Sequence, residues 1–430
     1  MHTTIGRYRG REVLICAPNW RQYGHLALEI LQAYAAARET ARAVYIVRRR
    51  GAANAALFDI EPDGEIDLVR PHAFARSRLT LRLARQTAAD ELRALTDRFG
   101  QDVRKEVRDE LTLWRDRPGV PTPVVERVRT AKDWLRTPFW FERPRLRPED
   151  RPQYFRRRLL RTPVPVRLGA RAHEEAARQA AAIGLDETTP IVTIHAREPG
   201  YKRGRETRDT KPDHARDDST RNVRIESYFA AIDHLIGRGF TVVRIGDPTM
   251  TPVARRGVID LATMPARTPL LEIYCLFRSR FLIASDSGPS AAAYLTNTPL
   301  VSLNCTDPIA AYPLRPAAIY TLKRVADRRT GRRLTPREMI ESDFITNNRN
   351  PRRYRYYDNT PQEVLAAVHE MLDMLDGRLE MSAAQQEYKA RLLAVEAALQ
   401  PVSHYVHKWG ADDGFLGDGR IARCFIDRDC

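Results

Sequence analysis

Short apolar runs alternate with amphipathic stretches along this chain, and the alternation predicts layers of parallel strands and helices. Residues 12–18, E-V-L-I-C-A-P, read as a buried strand. His25–Arg38 carries Leu26, Leu28, Ile30, Leu31 and Tyr34 at helical spacing, and Ala43–Val47 and Ile66–Val69 read as two further strands. Leu79–Trp114 reads as helical and rich in charge pairs. Residues 115–168, with many prolines and the basic cluster Arg156-Arg157-Arg158, read as an irregular region ending in a linker.

The pattern then restarts. Ala170–Ile183 is an amphipathic helix with Gly184 as its stop, and Ile191–Ile194 is a strand. Helices follow at Ile225–Gly237, Leu270–Arg278 and Pro289–Thr296, and strands at Phe240–Ile245, Val258–Leu261, Phe281–Ala284 and Leu300–Leu303. Helices at Pro361–Leu375 and Ala383–Leu399 precede a tail containing Gly417-Asp418-Gly419-Arg420-Ile421. The fold class expected is α/β, with two Rossmann-like domains facing a cleft. Residues 1–168 would form the first domain with its helical insertion, and 169–360 the second. Residues 361–430 would pack back on the first domain.

Composition narrows this picture. At 430 residues and 43% apolar content, the chain exceeds one compact core and has ample material for two or three. No run approaches the roughly 20 apolar residues of a membrane span. The five apolar residues before Pro18 are too few for a signal-peptide core, so a cytoplasmic location is expected. Five cysteines without C-x-x-C spacing suggest neither a zinc site nor a disulfide framework, and the Asn304-Cys305-Thr306 sequon means little without secretion. The formal charge of +16 comes mainly from arginine interleaved with Asp and Glu. It implies general attraction for anionic ligands, and no specific nucleic-acid module accompanies it.

Ligands of open parallel sheets bind beyond the carboxyl ends of the strands. Three segments fall there: His195-Ala196-Arg197, Gly246-Asp247-Pro248 and Ser285-Asp286-Ser287-Gly288-Pro289-Ser290. In the third, a strand passes through S-D-S-G into a helix opened by proline and built of small residues. Such a helix start offers free N–H groups and a positive dipole end to an anion. The alternative is an ordinary helix capped by Ser287. Arg197 is suited to bidentate contact with a phosphate, whereas His195 reads equally as a core histidine bonded to backbone. The Asp217-Asp218-Ser219-Thr220-Arg221-Asn222 cluster is either part of the site or a solvated loop with a helix cap. Between the first strand and first helix, Gly24 permits close backbone approach. His25 there is of a type suited to general-base work near neutral pH, or else simply packs on the helix.

H-A-R-E-P-G-Y (195–201), D-D-S-T-R-N (217–222), V-V-R-I-G-D-P (242–248) and F-L-I-A-S-D-S-G (281–288) occur in an order that resembles a poorly characterised bacterial glycosyltransferase family. G-H-L-A-L-E (24–29) and the late G-R-I also match it. More remotely the pattern is similar to two groups of GT-B fold, the heptosyltransferases and the NodZ and α1,6-type fucosyltransferases. The fucosyltransferase resemblance implies that His195 and Arg197 bind a nucleotide diphosphate. The heptosyltransferase resemblance places Asp286-Ser287-Gly288 at the donor diphosphate; Gly246, Asp247, Arg221, Asn222 and Ser290 are further residues expected on the donor side. Where heptosyltransferases have Gly followed by a catalytic Asp, this chain has Gly24 followed by His25. The basic segment Lys202–Arg216 is longer than in the bacterial family.

The resemblance implies an inverting glycosyltransferase that takes a sugar from a nucleoside-diphosphate sugar to an acceptor hydroxyl, with 1–168 as the acceptor side and 169–360 as the donor domain. The positive groups can replace a metal and no D-x-D motif stands in a suitable context, so metal independence is expected. His25 is the first choice of base, with Asp217 and Asp218 as runners-up. No cofactor is expected beyond the nucleotide-sugar co-substrate; the acceptor would be a glycan, a lipid precursor or a small metabolite. A nucleotide-sugar 2-epimerase of the same fold is the alternative enzyme, and a basic nucleic-acid-binding protein a distant third.

Overall fold

The computed structural model describes residues 2–8, 11–18, 22–48, 52–69, 161, 163–200, 218–399 and 416–426. The first layer is a three-stranded sheet in the order β1 (His2–Tyr8), β2 (Arg11–Ala17), β3 (Ala43–Ile46). Helix α1 (Tyr23–Glu39) connects β2 to β3, which pair in parallel from Val13↔Ala43 to Cys16↔Ile46. Ile66–Val69, expected as a strand, makes only an isolated bridge, Val44↔Leu68. The antiparallel pair β4 (Ile60–Pro62) and β5 (Val166–Leu168) closes this layer, and α2 (Ala170–Ala182) follows.

The large sheet begins at β6 (Ile191–His195). It continues with α3 (Phe229–Gly237), β7 (Thr241–Arg244), β8 (Val258–Ile259), α4 (Pro269–Arg278), β9 (Ser279–Ser285), α5 (Gly288–Thr296), β10 (Leu300–Cys305) and β11 (Ala318–Leu322). Across the sheet the order is β14-β11-β10-β9-β6-β7-β8, with parallel pairing throughout; β14 is Arg420–Ile421. Numbered from β6, the first six strands therefore run 3-2-1-4-5-6, the order of a doubly wound dinucleotide fold. The switch point lies between β6 and β9.

Period-2 side-chain alternation explains how these strands bury both faces. Val192 and Ile194 of β6, with Phe281 and Ile283 of β9, enter a core covered by α3 and the C-terminal helix α8 (Pro361–Leu375). Ile191 and the β9 residues Leu282 and Ala284 enter the opposite core, shared with α1, α2, α4 and α5. Both faces being covered, the strands are apolar runs rather than alternating ones.

A small antiparallel ribbon, β12 (Arg324–Asp327) with β13 (Tyr354–Tyr357), extends the chain beyond β11. Helices α6 (Pro336–Glu341) and α7 (Phe344–Asn347) lie between its strands. Helix α8 opens with a capping box, Thr360 with Glu363, and Pro361 in its first turn. Helices α9 (Ala383–Leu399) and α10 (Arg423–Ile426) complete the described chain.

One expected helix changes. Ile225–Gly237 splits into a 3-10 turn, Ile225–Tyr228, and α3; Ser227 Oγ donates to Arg224 O (2.9 Å), one of the local bonds that compete with a continuous helix. Helix α8 lies on α3, β10 and β11, and α9 on α6, α10 and β14. The expected helix Leu79–Trp114, the cluster Arg156–Arg158 and the basic segment Lys202–Arg216 lie outside the described residues. Among the described residues no helix is long and apolar enough to cross a membrane.

Candidate functional site at the switch point

The carboxyl ends of β6 and β9 are joined directly. Arg197 donates its backbone N–H to Ser285 Oγ (2.9 Å), and its guanidinium donates to Asn222 Oδ1. Val223 N–H returns to Arg197 O (3.0 Å), so backbone and side chain of Arg197 are both set by neighbouring chain. Asn222 is held in turn by fully folded-in Lys323, at the end of β11. Its Nζ donates to Asn222 O (2.6 Å) and to Asp358 Oδ1 (2.7 Å). Lys323 is 4% exposed, and burial pulls its pKa down while Asp358 pulls it up.

Arg221 reaches the other side of the rim, donating to Asp286 O (3.2 Å) and lying 3.7 Å from its carboxylate. Arg349 pairs with Asp286 at 2.8 Å and donates to Thr306 Oγ1 (3.0 Å). Arg349 adopts φ 66°, a left-handed conformation costly for a long side chain and common at functional sites. Among the described residues, four cations (Arg197, Arg221, Lys323, Arg349) thus surround two carboxylates, Asp286 and Asp358. Asp286 is bracketed by two arginines.

Ser287 is the N-cap of α5, yet its hydroxyl does not cap the helix. Ser287 Oγ and Ser290 Oγ both donate back to Ser285 O, at 2.9 and 3.0 Å. The first turn of α5 also carries no acid. The start of α1 meets this turn: a β-carbon placed on Gly24 would lie 3.2 Å from Gly288 Cα and 3.3 Å from Ala291 Cβ. One on Gly288 would lie 2.8 Å from the Tyr23 ring and 3.3 Å from Gly24 N. Helix α1 likewise has no side-chain cap and no acid in its first turn. Two positive helix ends therefore converge, and glycine at both positions is what lets them. His25, half-buried, follows Gly24 in the first turn of α1.

Several other expected residues are engaged in local contacts. His195 is buried, with Nδ1 3.1 Å from Ile245 O, which ties the ends of β6 and β7. Burial lowers its pKa to about 4 from an ordinary 6.5. Its stabilising contribution is thus complete above pH 6.5 and is lost as pH falls toward 4. Gly246, at φ 150°, leaves no room for a side chain: a β-carbon would lie 2.5 Å from Met250 Sδ. Asp247 turns its carboxylate onto Thr249, accepting from its N–H (3.0 Å) and hydroxyl (2.5 Å). Beneath Gly246 lies Glu272, which accepts from Gly246 N–H (3.3 Å) and Arg267 Nε (2.9 Å). Burial raises the Glu272 pKa to about 7 against the opposing pull of Arg267. That contribution has the opposite sign: it is present below pH 4.5 and lost as pH rises through 7. Asp218 begins the 3-10 turn Asp218–Arg221 that delivers Arg221, and Asp217 lies outside the described residues.

A second network underlies the rim. Arg244, wholly buried, donates to Glu198 Oε1 (2.7 Å), to Asp260 (3.1 and 3.3 Å) and to Thr251 O (2.7 Å). The other oxygen of Glu198 accepts from Thr251 N–H (2.9 Å) and hydroxyl (3.0 Å). The glutamate of H-A-R-E-P-G-Y is therefore paired with the arginine of V-V-R-I-G-D-P. Gly200 of the same turn packs on Thr249, whose Oγ1 would lie 2.0 Å from an added β-carbon.

The chain is similar to a solved structure described as "The crystal structure of the glycosyl transferase family 9 from Veillonella parvula DSM 2008". The identity is 15%, the coverage 72% of this chain and 85% of that one, and the TM-score 0.35. A likeness at that level carries no weight in assigning an activity. No family model and no curated protein matches the chain.

Proposed function

We propose that this chain is a glycosyltransferase that moves a sugar from a nucleoside-diphosphate sugar to an acceptor hydroxyl. The observation that supports the reading is at the switch point: the Arg197 backbone is bonded to Ser285, two residues before a helix start at Ser287–Gly288 that has no side-chain cap. Donors fixed before the ligand arrives cost no reorganisation when negative charge develops on a leaving group. The sequence resemblance adds the sugar to what would otherwise be a general diphosphate site.

In this reading the acceptor oxygen attacks the anomeric carbon while His25 takes the hydroxyl proton. The bond from the anomeric carbon to the diphosphate oxygen breaks, and its electron pair leaves with the nucleoside diphosphate. Arg197 and the Gly288 end of α5 receive that charge, and the start of α1 adds to the positive field. Asn222 and Lys323 hold Arg197 in position without touching the donor. A direct displacement of this kind inverts the anomeric centre. The fixed cations take the part a metal ion would otherwise play, so activity is proposed to be metal-independent.

Thermal unfolding with each common nucleoside diphosphate tests the proposal, because a ligand bound only by the folded state raises the midpoint. At least one diphosphate should stabilise the native chain and fail to stabilise Arg197→Ala. Equal stabilisation of both proteins would remove Arg197 from the site.

A further inference from the structure

The outer face of the β12–β13 ribbon presents cations that the fold does not use. In antiparallel pairs, residues directly opposite share a face. Ala326 of β12 lies opposite Arg355 of β13 on one side and forms a bridge to Arg333 on the other. Arg333 and Arg355 therefore flank one small residue on a common face, and Tyr357, two residues beyond Arg355, lies on it too. The Arg333 guanidinium sits 5.3 Å from the centre of the Tyr357 ring. Tyr357, at 36% exposure, is one of two exposed large hydrophobic side chains among the described residues.

What sets these arginines apart is their lack of acidic partners. Nearby Arg332 is paired with Glu338 (2.6 Å), and Arg337 with Glu341 (2.6 Å). Among the described residues neither Arg333 nor Arg355 has a carboxylate within ion-pairing distance, and neither does exposed Arg352 in the turn leading to β13. The face also adjoins the candidate site. Tyr357 precedes Asp358, and Arg324, opposite Tyr357, follows Lys323; Lys323 and Asp358 form the pair that anchors Asn222.

We infer that this face binds the acceptor side of the reaction, as a docking surface for a carbohydrate chain bearing carboxylate or phosphate groups. The unpaired guanidinium groups match the anions by charge, and the tyrosine ring offers a flat apolar platform for a sugar ring. Commitment to carbohydrate over nucleic acid rests on the glycosyltransferase reading above.

The test uses the full chain and an oligogalacturonate as probe, with a single-stranded oligonucleotide of equal charge and neutral dextran as comparisons. Binding is measured at low and moderate salt for native protein, Arg333→Ala/Arg355→Ala, Tyr357→Phe, Tyr357→Ala and Arg197→Ala. The double variant should lose about tenfold or more in oligogalacturonate affinity. Tyr357→Ala should weaken binding and Tyr357→Phe preserve it, while Arg197→Ala leaves it unchanged. Unchanged affinity in the double variant overturns the surface. Equal or tighter binding of the oligonucleotide, indifferent to Tyr357, overturns the carbohydrate assignment and favours nucleic acid. Because diphosphate binding is read separately through Arg197, loss of the donor site would leave oligogalacturonate binding intact, and the two failures stay distinguishable.

Discussion

Replacing Arg244 with methionine isolates the buried network under the rim. The substitution keeps much of the side-chain volume and removes the one cation that Glu198 and Asp260 share. Their side chains are 15% and 9% exposed, so neither recovers full hydration. Each retains other donors: Thr251 for Glu198, and Val253 N–H (2.8 Å) with the Thr263 hydroxyl (2.9 Å) for Asp260. Removing one member of a buried ion pair typically costs about 3–5 kcal/mol. The retained donors place this case toward the lower end.

At the scale of a large domain this corresponds to a fall in unfolding midpoint of roughly 5–15 °C. The Glu198 turn follows Arg197 directly, so the variant should also bind nucleoside diphosphate more weakly below its midpoint. Differential scanning fluorimetry with and without ligand reads both effects. A midpoint within about one degree of native, with unchanged ligand stabilisation, would refute the claim that this pair holds the two sequence blocks together.

Four other outcomes are expected. Gly24→Val should force α1 away from Gly288, costing about 1–3 kcal/mol of stability and depressing turnover; a native-like enzyme would mean that the junction tolerates a side chain. Lys323→Met should weaken diphosphate binding without touching the ligand, through Asn222 and Arg197, and native affinity would show Arg197 to be set independently. His25→Gln should lower kcat more than donor affinity, whereas full turnover would place the base elsewhere. Between pH 4.5 and 6.5 the opposed His195 and Glu272 contributions should nearly cancel, so Glu272→Gln should leave a midpoint that rises with pH across that window; a flat profile would contradict the assignment.

The sequence makes the large sheet legible because its strands are buried on both faces. Ile191–Ile194 and Phe281–Ala284 are unbroken apolar runs, and Pro361–Leu375 carries its capping signals in order. Parts of the candidate site could be read by the same logic: Arg197 stands where β6 ends, and S-D-S-G stands where α5 begins. Long-range pairing is what the sequence does not show. Lys323 joins the site from a strand 126 residues beyond Arg197, Arg349 from a left-handed turn, and Asp358 from the end of β13. The apolar run Ala318–Leu322 could have pointed to Lys323, since it ends in a lysine at a strand's carboxyl terminus. No local pattern distinguishes Ser287 as cap from Ser287 turned back onto Ser285 O. That choice depends on how the S-D-S-G turn folds.

These pairings change how the sequence blocks should be understood. H-A-R-E-P-G-Y divides its work among positions: His195 fastens β6 to β7, Arg197 donates to Asn222, Glu198 grips Arg244, and Gly200 fits against Thr249. V-V-R-I-G-D-P supplies the other half of two of those contacts. D-D-S-T-R-N supplies Arg221 for Asp286 and Asn222 for Arg197, so it links β6 to β9 through side chains where no strand pairing reaches. Residues in one ion-paired network do not contribute independently. Arg197→Ala combined with Lys323→Met should therefore cost less in diphosphate affinity than the two single losses added together. A strictly additive pair would mean that Lys323 reaches the ligand by a route of its own.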